Sequence, residues 1–299
     1  MTATELDLAN DAGMATISEG VKPKFRLTSA HVSAVIGVSL ILMLTLTAIF
    51  ADQLSPYDPT ERIGRPFEEP SAAHLLGTND IGQDIMSELI YGTRSSLTVG
   101  FAAAAVAIFM GTSVGLLSGY YARLDSVLMR VVDVILVIPF LPLLILLAAY
   151  LGRSQSNTII IIGMLIWAGS ARVIRSQVMT ISKQEYVLAA RAVGATDRHI
   201  IFRHILPQVM LLAIGQFVLV ISTAILLEAA LSFLGLGDPI QKSWGTILYW
   251  AQVRGAFLTP AWLWWVMPPG LLIVAAALGF ALIGFSLEQR VDPRLKQSR

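Results

Sequence analysis

Six apolar stretches, each about as long as a bilayer is thick, constrain the fold of this chain more than any other feature. A hydrocarbon core of about 30 Å needs roughly 20 apolar residues in a helix that rises about 1.5 Å per residue. The sequence therefore predicts an all-α, polytopic membrane protein with six transmembrane helices. The predicted spans cover residues 31–51, 96–119, 127–151, 158–174, 206–227 and 263–287.

The composition supports this fold class and excludes several kinds of protein. Of the 299 residues, 55% are hydrophobic and 14% are charged, which is too apolar for an ordinary soluble domain. The net charge of +1 leaves no basic face for a nucleic acid. Because the chain contains no cysteine, it has no disulfide framework, thiol nucleophile or thiolate metal ligand.

The distribution of cationic residues predicts which segments face the cytoplasm. Fifteen of the 21 lysine and arginine residues fall in the two tails, in alternate loops or in the span ends next to them, and six fall in the other loops. Cytoplasmic loops carry the excess of Lys and Arg, so both termini are predicted inside. Residues 1–30 hold four acidic residues and no apolar core, which indicates a cytoplasmic tail rather than a secretory signal.

These assignments predict how the chain is divided. The N-terminal tail and the first span (31–51) precede an extracytoplasmic loop at residues 52–95. A five-helix core at residues 96–287 follows, with a cytoplasmic loop at 175–205 and an extracytoplasmic loop at 228–262, before a cytoplasmic tail at 288–299. Six aromatic residues near that second outer loop are predicted to form a belt at the outer membrane surface: Trp244, Tyr249, Trp250, Trp262, Trp264 and Trp265.

Glycines in the second span predict close helix packing. Gly111, Gly115 and Gly119 recur every four residues, which lets another helix approach this face. Residues 111–115 also match G-x-S-x-G, the nucleophile elbow of some hydrolases, but that motif requires a strand-to-helix turn. Ser113 lies inside an apolar span, and no histidine is placed to assist it. Packing is the favoured interpretation, and an intramembrane hydrolase is the alternative from another class.

Prolines predict where the spans bend or begin. Pro139 and Pro142 remove backbone donors from the third span and should kink it. Pro207 is predicted to start the fifth span, and Pro268-Pro269 the sixth, because a missing N–H costs least in the first turn of a helix.

No motif for a metal or a nucleotide survives inspection. His199 and His204 are five residues apart, which is off one helical face, and no H-E-x-x-H occurs. Residues 235–243 superficially resemble a phosphate loop, but Leu236 and Gln241 stand where that pattern needs glycine. We therefore predict a chain that is not an enzyme and holds no metal or cofactor of its own.

Two acidic residues border predicted spans. Asp133 lies near the inner end of the third span, and Glu228 lies at the outer end of the fifth. Buried carboxylates in a membrane are costly and often functional, so both are candidates for a gate or a substrate path. The alternative is that each side chain extends to a membrane interface.

The cytoplasmic segment Glu185–Arg203 has the features of a docking element. Its alanines favour helix, and Gly194 predicts a break between two short helices. Tyr186, Val187, Ala190 and Val193 fall near one face, so this face is expected to enter a groove on a partner. A loop that lies on lipid headgroups would show the same periodicity, and the pattern alone leaves both interpretations open.

The residues Glu185–Pro207 resemble the EAA loop of ABC-transporter permeases. The alanine pair Ala189-Ala190, Gly194 and the closing Leu206-Pro207 stand at matching spacing, whereas Leu188 replaces the glutamate of the EAA triplet. Further motifs resemble the C subunits of dipeptide and oligopeptide permeases, although that family usually has Asp at position 79 and Arg at 83. These motifs lie at residues 74–84, 91–97, 130–133, 138–139, 228–237, 243–245 and 292–295.

The resemblance implies a fold, an activity and a set of partners. The fold would be that of the MetI-like permeases, and the chain would be a multi-pass subunit in the cytoplasmic membrane of a prokaryote. It would pair with a second homologous permease, bind two ATPase subunits that hold ATP and Mg, and receive substrate from an extracytoplasmic binding protein. The residues implied in ATPase coupling are Glu185, Tyr186, Ala189, Ala190, Gly194, Ala195, Leu206 and Pro207.

The cargo implied by the resemblance is a di- or oligopeptide. Oligosaccharides, nickel and glutathione are the alternatives with the same mechanism. A secondary carrier that needs no ATPase would require inverted repeats, and we find no persuasive internal repeat.

Overall fold

The computed structural model describes residues 29–291. The predicted tails at 1–30 and 288–299 therefore lie almost wholly outside the described residues. Within the described range the chain is helical apart from its loops and one isolated bridge between Thr78 and Asp84. Five helical segments are long and apolar enough to cross a membrane, or six if a sharply bent helix pair counts as one span. The predicted all-α class is confirmed.

The helices are numbered in chain order. They are α1 (Ser29–Ile49), α2 (Ala51–Leu54), α3 (Ile85–Tyr120), α4 (Ala122–Val137), α5 (Phe140–Leu151), α6 (Gln155–Ile181), α7 (Glu185–Ala192), α8 (Asp197–Ile200), α9 (Leu206–Phe233), α10 (Trp244–Val253) and α11 (Met267–Val291). Two π-helical turns, Ile201–Ile205 and Trp262–Val266, precede α9 and α11, and a 3₁₀ turn covers Ala256–Leu258.

The most extensive helix contact joins α3 to α6, and the predicted glycine face lies within it. A Cβ at Gly115 would lie 2.7 Å from the Ala171 carbonyl oxygen, and one at Gly119 would lie 2.7 Å from the Val178 Cβ. At Gly111 the nearest atom would be the Ser170 Cβ, at 2.9 Å. The backbones approach so closely that any side chain at these positions would clash, which confirms the packing prediction.

The third predicted span is broken rather than kinked. Helices α4 and α5 meet at 88°, and Ile138 between them is extended, with φ −66° and ψ 132°. A residue that precedes proline is forced out of the helical region by the proline ring, and Pro139 imposes this on Ile138. The bend is therefore sharper than predicted: residues 127–151 form two helices, not one kinked helix.

The prolines at the fifth and sixth spans lie in the first turns of α9 and α11, as predicted, but a π turn precedes each helix without interruption. The Leu206 N–H bonds to the Ile201 carbonyl just before Pro207, and the Met267 N–H bonds to the Trp262 carbonyl just before Pro268. In each case a π turn widens the helix where the proline ring would otherwise crowd the preceding turn. The sequence prediction located the starts of these two helices correctly but did not include the π turns that precede them.

Several helices extend beyond the predicted span limits. The second span starts at Ile85, so the end of the predicted loop 52–95 is helical. Its first turn is capped by Asp84, whose Oδ2 accepts hydrogen bonds from the Ser87 N–H and hydroxyl at 2.8 Å. Likewise α6 continues to Ile181 and α9 to Phe233, into the predicted loops 175–205 and 228–262. Hydropathy located the apolar centres, whereas capping and packing of polar residues set the ends.

The predicted aromatic belt is only partly present. Trp244 and Trp265 are fully buried, in a core cluster that includes Ile225 of α9 and Ile85 of α3. These rings therefore pack helices together, and Trp250 and Trp262 remain partly exposed. Trp244 and Trp265 are buried because α10 and the π turn before α11 fold back onto the helix bundle. The sequence pattern does not reveal this fold-back.

Candidate functional site

The predicted docking loop forms two short helices separated by a tight turn, as the sequence indicated. Helix α7 ends at Ala192, and Gly194 has φ +82°, a conformation that glycine adopts without strain. The Gly194 N–H bonds to the Arg191 carbonyl at 3.1 Å, and the Ala195 N–H bonds to the Ala190 carbonyl at 3.0 Å. This pair of bonds is the Schellman arrangement, which satisfies carbonyls at a helix end. Gly194 thus sets the direction in which the chain leaves α7.

The second half of the loop continues directly into a long helix. The Thr196 hydroxyl accepts from the His199 N–H at 3.3 Å and starts α8. From Asp197 to Phe233 the chain is one helical segment of 37 residues that includes the π turn. A segment of that length extends for about 55 Å at 1.5 Å per residue, so the loop is joined rigidly to one transmembrane helix.

One side of the loop is anchored in the chain's own core. Val187 is fully buried in a cluster with Ile174, Val178 and Ile200. The predicted partner face, which included Val187, is therefore wrong at this residue. Val187 is buried because α7 folds back against the end of α6, a contact that the periodicity of a short helix does not determine.

The opposite side of the loop carries exposed apolar residues. Val193 is 86% exposed, and Tyr186 and Leu188 are each about half exposed. The Tyr186 hydroxyl accepts a 2.7 Å hydrogen bond from Gln208 Nε2, which holds its ring beside the start of α9. Ala189 is exposed and Ala190 is partly buried. An apolar surface of this kind, supported from behind by a buried residue, can bind a complementary groove.

The sequence interpretation missed a second exposed group on the same loop. Phe202 is exposed, and it lines an open cavity of about 470 Å³. The other lining residues are Thr196, Arg198, His199 and Arg203. In the sequence Phe202 stands among cationic residues. An aromatic residue in such a setting was the signal that could have predicted an exposed ring. The loop therefore presents apolar groups together with positive charge.

The remaining predicted coupling residues have different positions. Glu185 starts α7 and is exposed, and Ala195 is partly buried in the turn. Leu206 and Pro207 lie past the π turn, at the start of α9, where the loop joins the transmembrane helix. Arg191, which was not predicted, stacks over the Tyr120 ring at 5.6 Å and ties the loop to the end of α3.

The two acidic candidates have different surroundings. Asp133 is about half exposed and pairs with Arg172 at 2.5 Å, which joins α4 to α6. Glu228 is 3% exposed; its carboxylate accepts hydrogen bonds from the Ser232 hydroxyl at 2.7 Å and the Ser96 hydroxyl at 3.2 Å. The Glu228 carboxylate is therefore held inside the helix bundle by hydroxyl groups of α3 and α9.

The hydrolase and metal alternatives receive no support from the described residues. The Ser113 hydroxyl donates to the Phe109 carbonyl at 2.8 Å within its own helix. Among residues 29–291, no group of three or more His, Cys, Asp or Glu side chains could hold a metal ion. Ser113 thus has the ordinary hydrogen bond of a serine within a helix.

Comparison with known families assigns the chain. The family model described as "Binding-protein-dependent transport system inner membrane component" matches residues 107–297, which is more than half of the chain. The chain belongs to this family. A second model, the "N-terminal TM domain of oligopeptide transport permease C", matches residues 26–71 of this inner membrane component.

Individual relatives of this inner membrane component cover most of its length. It is 38% identical to the dipeptide transport system permease protein DppC of Alkalihalophilus pseudofirmus, over 91% of this chain and 89% of the relative. It is 34% identical to the glutathione transport system permease protein GsiD of Pectobacterium atrosepticum, over 91% of this chain and 90% of the relative.

A solved structure confirms the fold of this inner membrane component. A chain of the MetNI methionine ABC transporter, in inward-facing conformations, matches with a TM-score of 0.52 and 19% sequence identity. The match covers 69% of this chain and 96% of that one. The MetI-like permease fold predicted from the sequence is thereby confirmed.

Proposed function

We propose that this chain is one of two membrane subunits of an ATP-driven importer of di- and oligopeptides, and that the loop from Glu185 to Pro207 docks on an ATPase subunit. In this proposal the chain lies in the cytoplasmic membrane of a prokaryote with both termini inside. ATP and Mg are held by two partner ATPases, and a binding protein delivers the cargo from outside. The relatives named as dipeptide and oligopeptide permeases support the class of cargo.

The observation that carries the docking proposal is that the loop is buried at one residue and exposed at others. Val187 fixes α7 to the core of its own chain, while Val193 and Leu188 remain exposed on the other side. A partner that moves these exposed groups moves the whole loop, since the loop is not free to swing. The helical segment Asp197–Phe233 would then transmit the displacement across the membrane.

Leu188 changes what the partner groove must offer. It stands where the resembled family has glutamate, and it is about half exposed. The contact at this point is therefore apolar rather than charged, and the proposed ATPase groove should present an apolar wall to Leu188. Arg198 and Arg203 supply the charge complementarity, so acidic residues are expected at the margin of that groove.

A crosslinking experiment tests the docking proposal. The chain has no cysteine, so Val193→Cys introduces a single thiol at an 86% exposed position. In native vesicles containing the whole transporter, a photoactivatable thiol reagent at this position is expected to capture an ATP-hydrolysing subunit. Leu258→Cys is the matched control, because it is 91% exposed and lies on the side predicted extracytoplasmic.

The same two variants test the topology. An impermeant thiol reagent added outside intact cells should label Leu258→Cys and leave Val193→Cys unlabelled. Labelling of Val193→Cys from outside would overturn the orientation, and repeated failure of Val193→Cys to capture an ATPase would overturn the docking.

Uptake competition tests the cargo. Cells that depend on this transporter are expected to take up a labelled dipeptide, and excess unlabelled dipeptide or tripeptide should inhibit that uptake. Glutathione is the strongest alternative, because a relative at 34% identity is named as its permease. Uptake that only glutathione, nickel or an oligosaccharide inhibits would contradict the peptide assignment while leaving the mechanism intact.

A further inference from the structure

A lysine joins two distant parts of the chain at the ends of the helices that are predicted extracytoplasmic. Lys242 lies in the short segment between α9 and α10, and its Nζ donates to Glu88 Oε1 of α3 at 2.5 Å. The same Nζ donates to Gln83 Oε1 at 2.9 Å, in the segment just before α3. The α9–α10 connection is therefore fastened to the outer end of α3.

The acceptor side of this contact is preorganised. Asn79 Nδ2 donates to Glu88 Oε1 and to Gln83 Oε1, both at 3.0 Å, and Gln83 Nε2 donates to the Thr60 carbonyl at 2.8 Å. The Glu88 side chain is 3% exposed and the Lys242 side chain 20% exposed. A carboxylate buried this deeply is stabilised only while its cation stays in place, because an unpaired buried charge is costly.

The contact lies at the far end of the helix that starts at the docking loop. The helical segment from Asp197 ends at Phe233, and the chain reaches Lys242 soon after. A second junction reinforces the first: the Ser96 hydroxyl of α3 donates to Glu228 of α9 and accepts from the Trp244 N–H at 3.2 Å. Any tilt of α9 relative to α3 must therefore displace the α9–α10 connection or break these bonds.

The two junctions differ in how readily they can open. Glu228 and Ser96 are buried and bonded within the helix bundle. Lys242 has a long, flexible side chain with partial access to water, so its cation can be solvated when the ion pair separates. Separation would nevertheless leave the Glu88 carboxylate buried without its cation, so the contact favours movement of the α9–α10 connection together with the outer end of α3.

We propose that Lys242 is a positioning residue for transport, whose contact with Glu88 links the outer end of α9 to α3 and so transmits movement of the docking loop to the extracytoplasmic side. This inference rests on the proposed function. Without the contact, the α9–α10 connection is no longer fastened to Glu88 and Gln83, and movement of α9 reaches α3 only through their helix packing and the Ser96–Glu228 junction. ATP hydrolysis would then proceed without a matching change at the outer side.

The experiment uses the whole transporter in proteoliposomes with its binding protein. It measures ATP hydrolysis with and without substrate-loaded binding protein, together with uptake. Lys242→Met is expected to lower the ratio of stimulated to basal hydrolysis severalfold, since it removes the link between the α9–α10 connection and α3. Uptake per ATP hydrolysed should fall in parallel.

A double variant separates this role from simple stabilisation. Lys242→Met with Glu88→Gln removes both charges and leaves no unpaired carboxylate, so the amount of assembled transporter should recover. The stimulation ratio should remain low if Lys242 transmits movement. Recovery of a normal ratio together with a normal amount would overturn the proposal.

A nearby ion pair provides the control. Arg254 Nε bonds to Asp80 Oδ2 at 2.8 Å on the same side, but Arg254 follows α10 and is not adjacent to α9. Arg254→Met should leave the stimulation ratio unchanged, and an equal loss there would overturn the specific role of Lys242. A wild-type transporter without ATP-dependent uptake would instead count against the proposed function itself.

Discussion

Replacing Gly115 with leucine is expected to prevent the chain from accumulating in the membrane as a folded protein. The added Cβ alone would lie 2.7 Å from the Ala171 carbonyl oxygen and 2.8 Å from the Ile174 Cβ. Both atoms belong to α6, and a helix backbone cannot yield at one residue without moving the whole contact. The expected cost is about 3 kcal/mol, at the upper end for overpacked cores. The amount of detergent-extractable, monodisperse protein measures the effect.

Gly169→Leu is the matched control for this prediction. Gly169 also lies in the α3–α6 helix pair, on α6, but a Cβ there would meet no described atom within 4 Å. The same change in residue type should therefore leave the amount of folded chain close to that of the wild type. If Gly115→Leu accumulated to the same level as Gly169→Leu, the close approach of α3 and α6 would be wrong.

Gly194→Val is expected to abolish uptake while leaving membrane insertion intact. Gly194 has φ +82°, and a β-branched residue in that conformation is strained by more than the ~1–2 kcal/mol typical of other side chains. The turn would relax, and α8 would leave α7 in a different direction. Because no described atom would lie within 4 Å of the new Cβ, the core is untouched and only the presentation of the loop changes.

Gly255→Val controls for backbone strain alone. Gly255 has φ +73°, and a Cβ there would likewise have no described neighbour within 4 Å, but the residue lies on the side predicted extracytoplasmic. Uptake should stay within about twofold of the wild type, since the strain of a single turn, comparable to that at Gly194, does not unfold a stable bundle. Equal loss of uptake in both variants would show that strain, rather than loop geometry, limits transport.

The sequence predicted the features that depend on local periodicity. Apolar length located the spans, the four-residue repeat of Gly111, Gly115 and Gly119 predicted a face for close helix packing, and Gly194 located the turn. Each of these signals lies within a single helix or a single turn. The residues that cause each of these features are therefore the same neighbouring residues that form the sequence pattern.

The features that the sequence did not predict depend on residues far apart in the chain. Glu228 is buried because Ser96, 132 residues earlier, offers a hydroxyl to its carboxylate. Val187 faces the core because α7 folds onto the end of α6, and Trp244 is buried against α3 in the same way. Periodicity identifies a helical face, but it does not identify what that face will meet.

The break between α4 and α5 has a consequence for the surrounding bilayer. Helix α4 has 16 residues and α5 has 12, which correspond to about 24 Å and 18 Å, so neither alone crosses a hydrocarbon core of about 30 Å. The end of a helix leaves carbonyl groups without intrahelical partners, and lipid tails offer none. Water or a neighbouring polar surface must therefore reach the Ile138–Pro139 peptide. A break of this kind, if it lies at the depth of the acyl chains, requires water or a polar surface beside it where an unbroken helix would need only lipid.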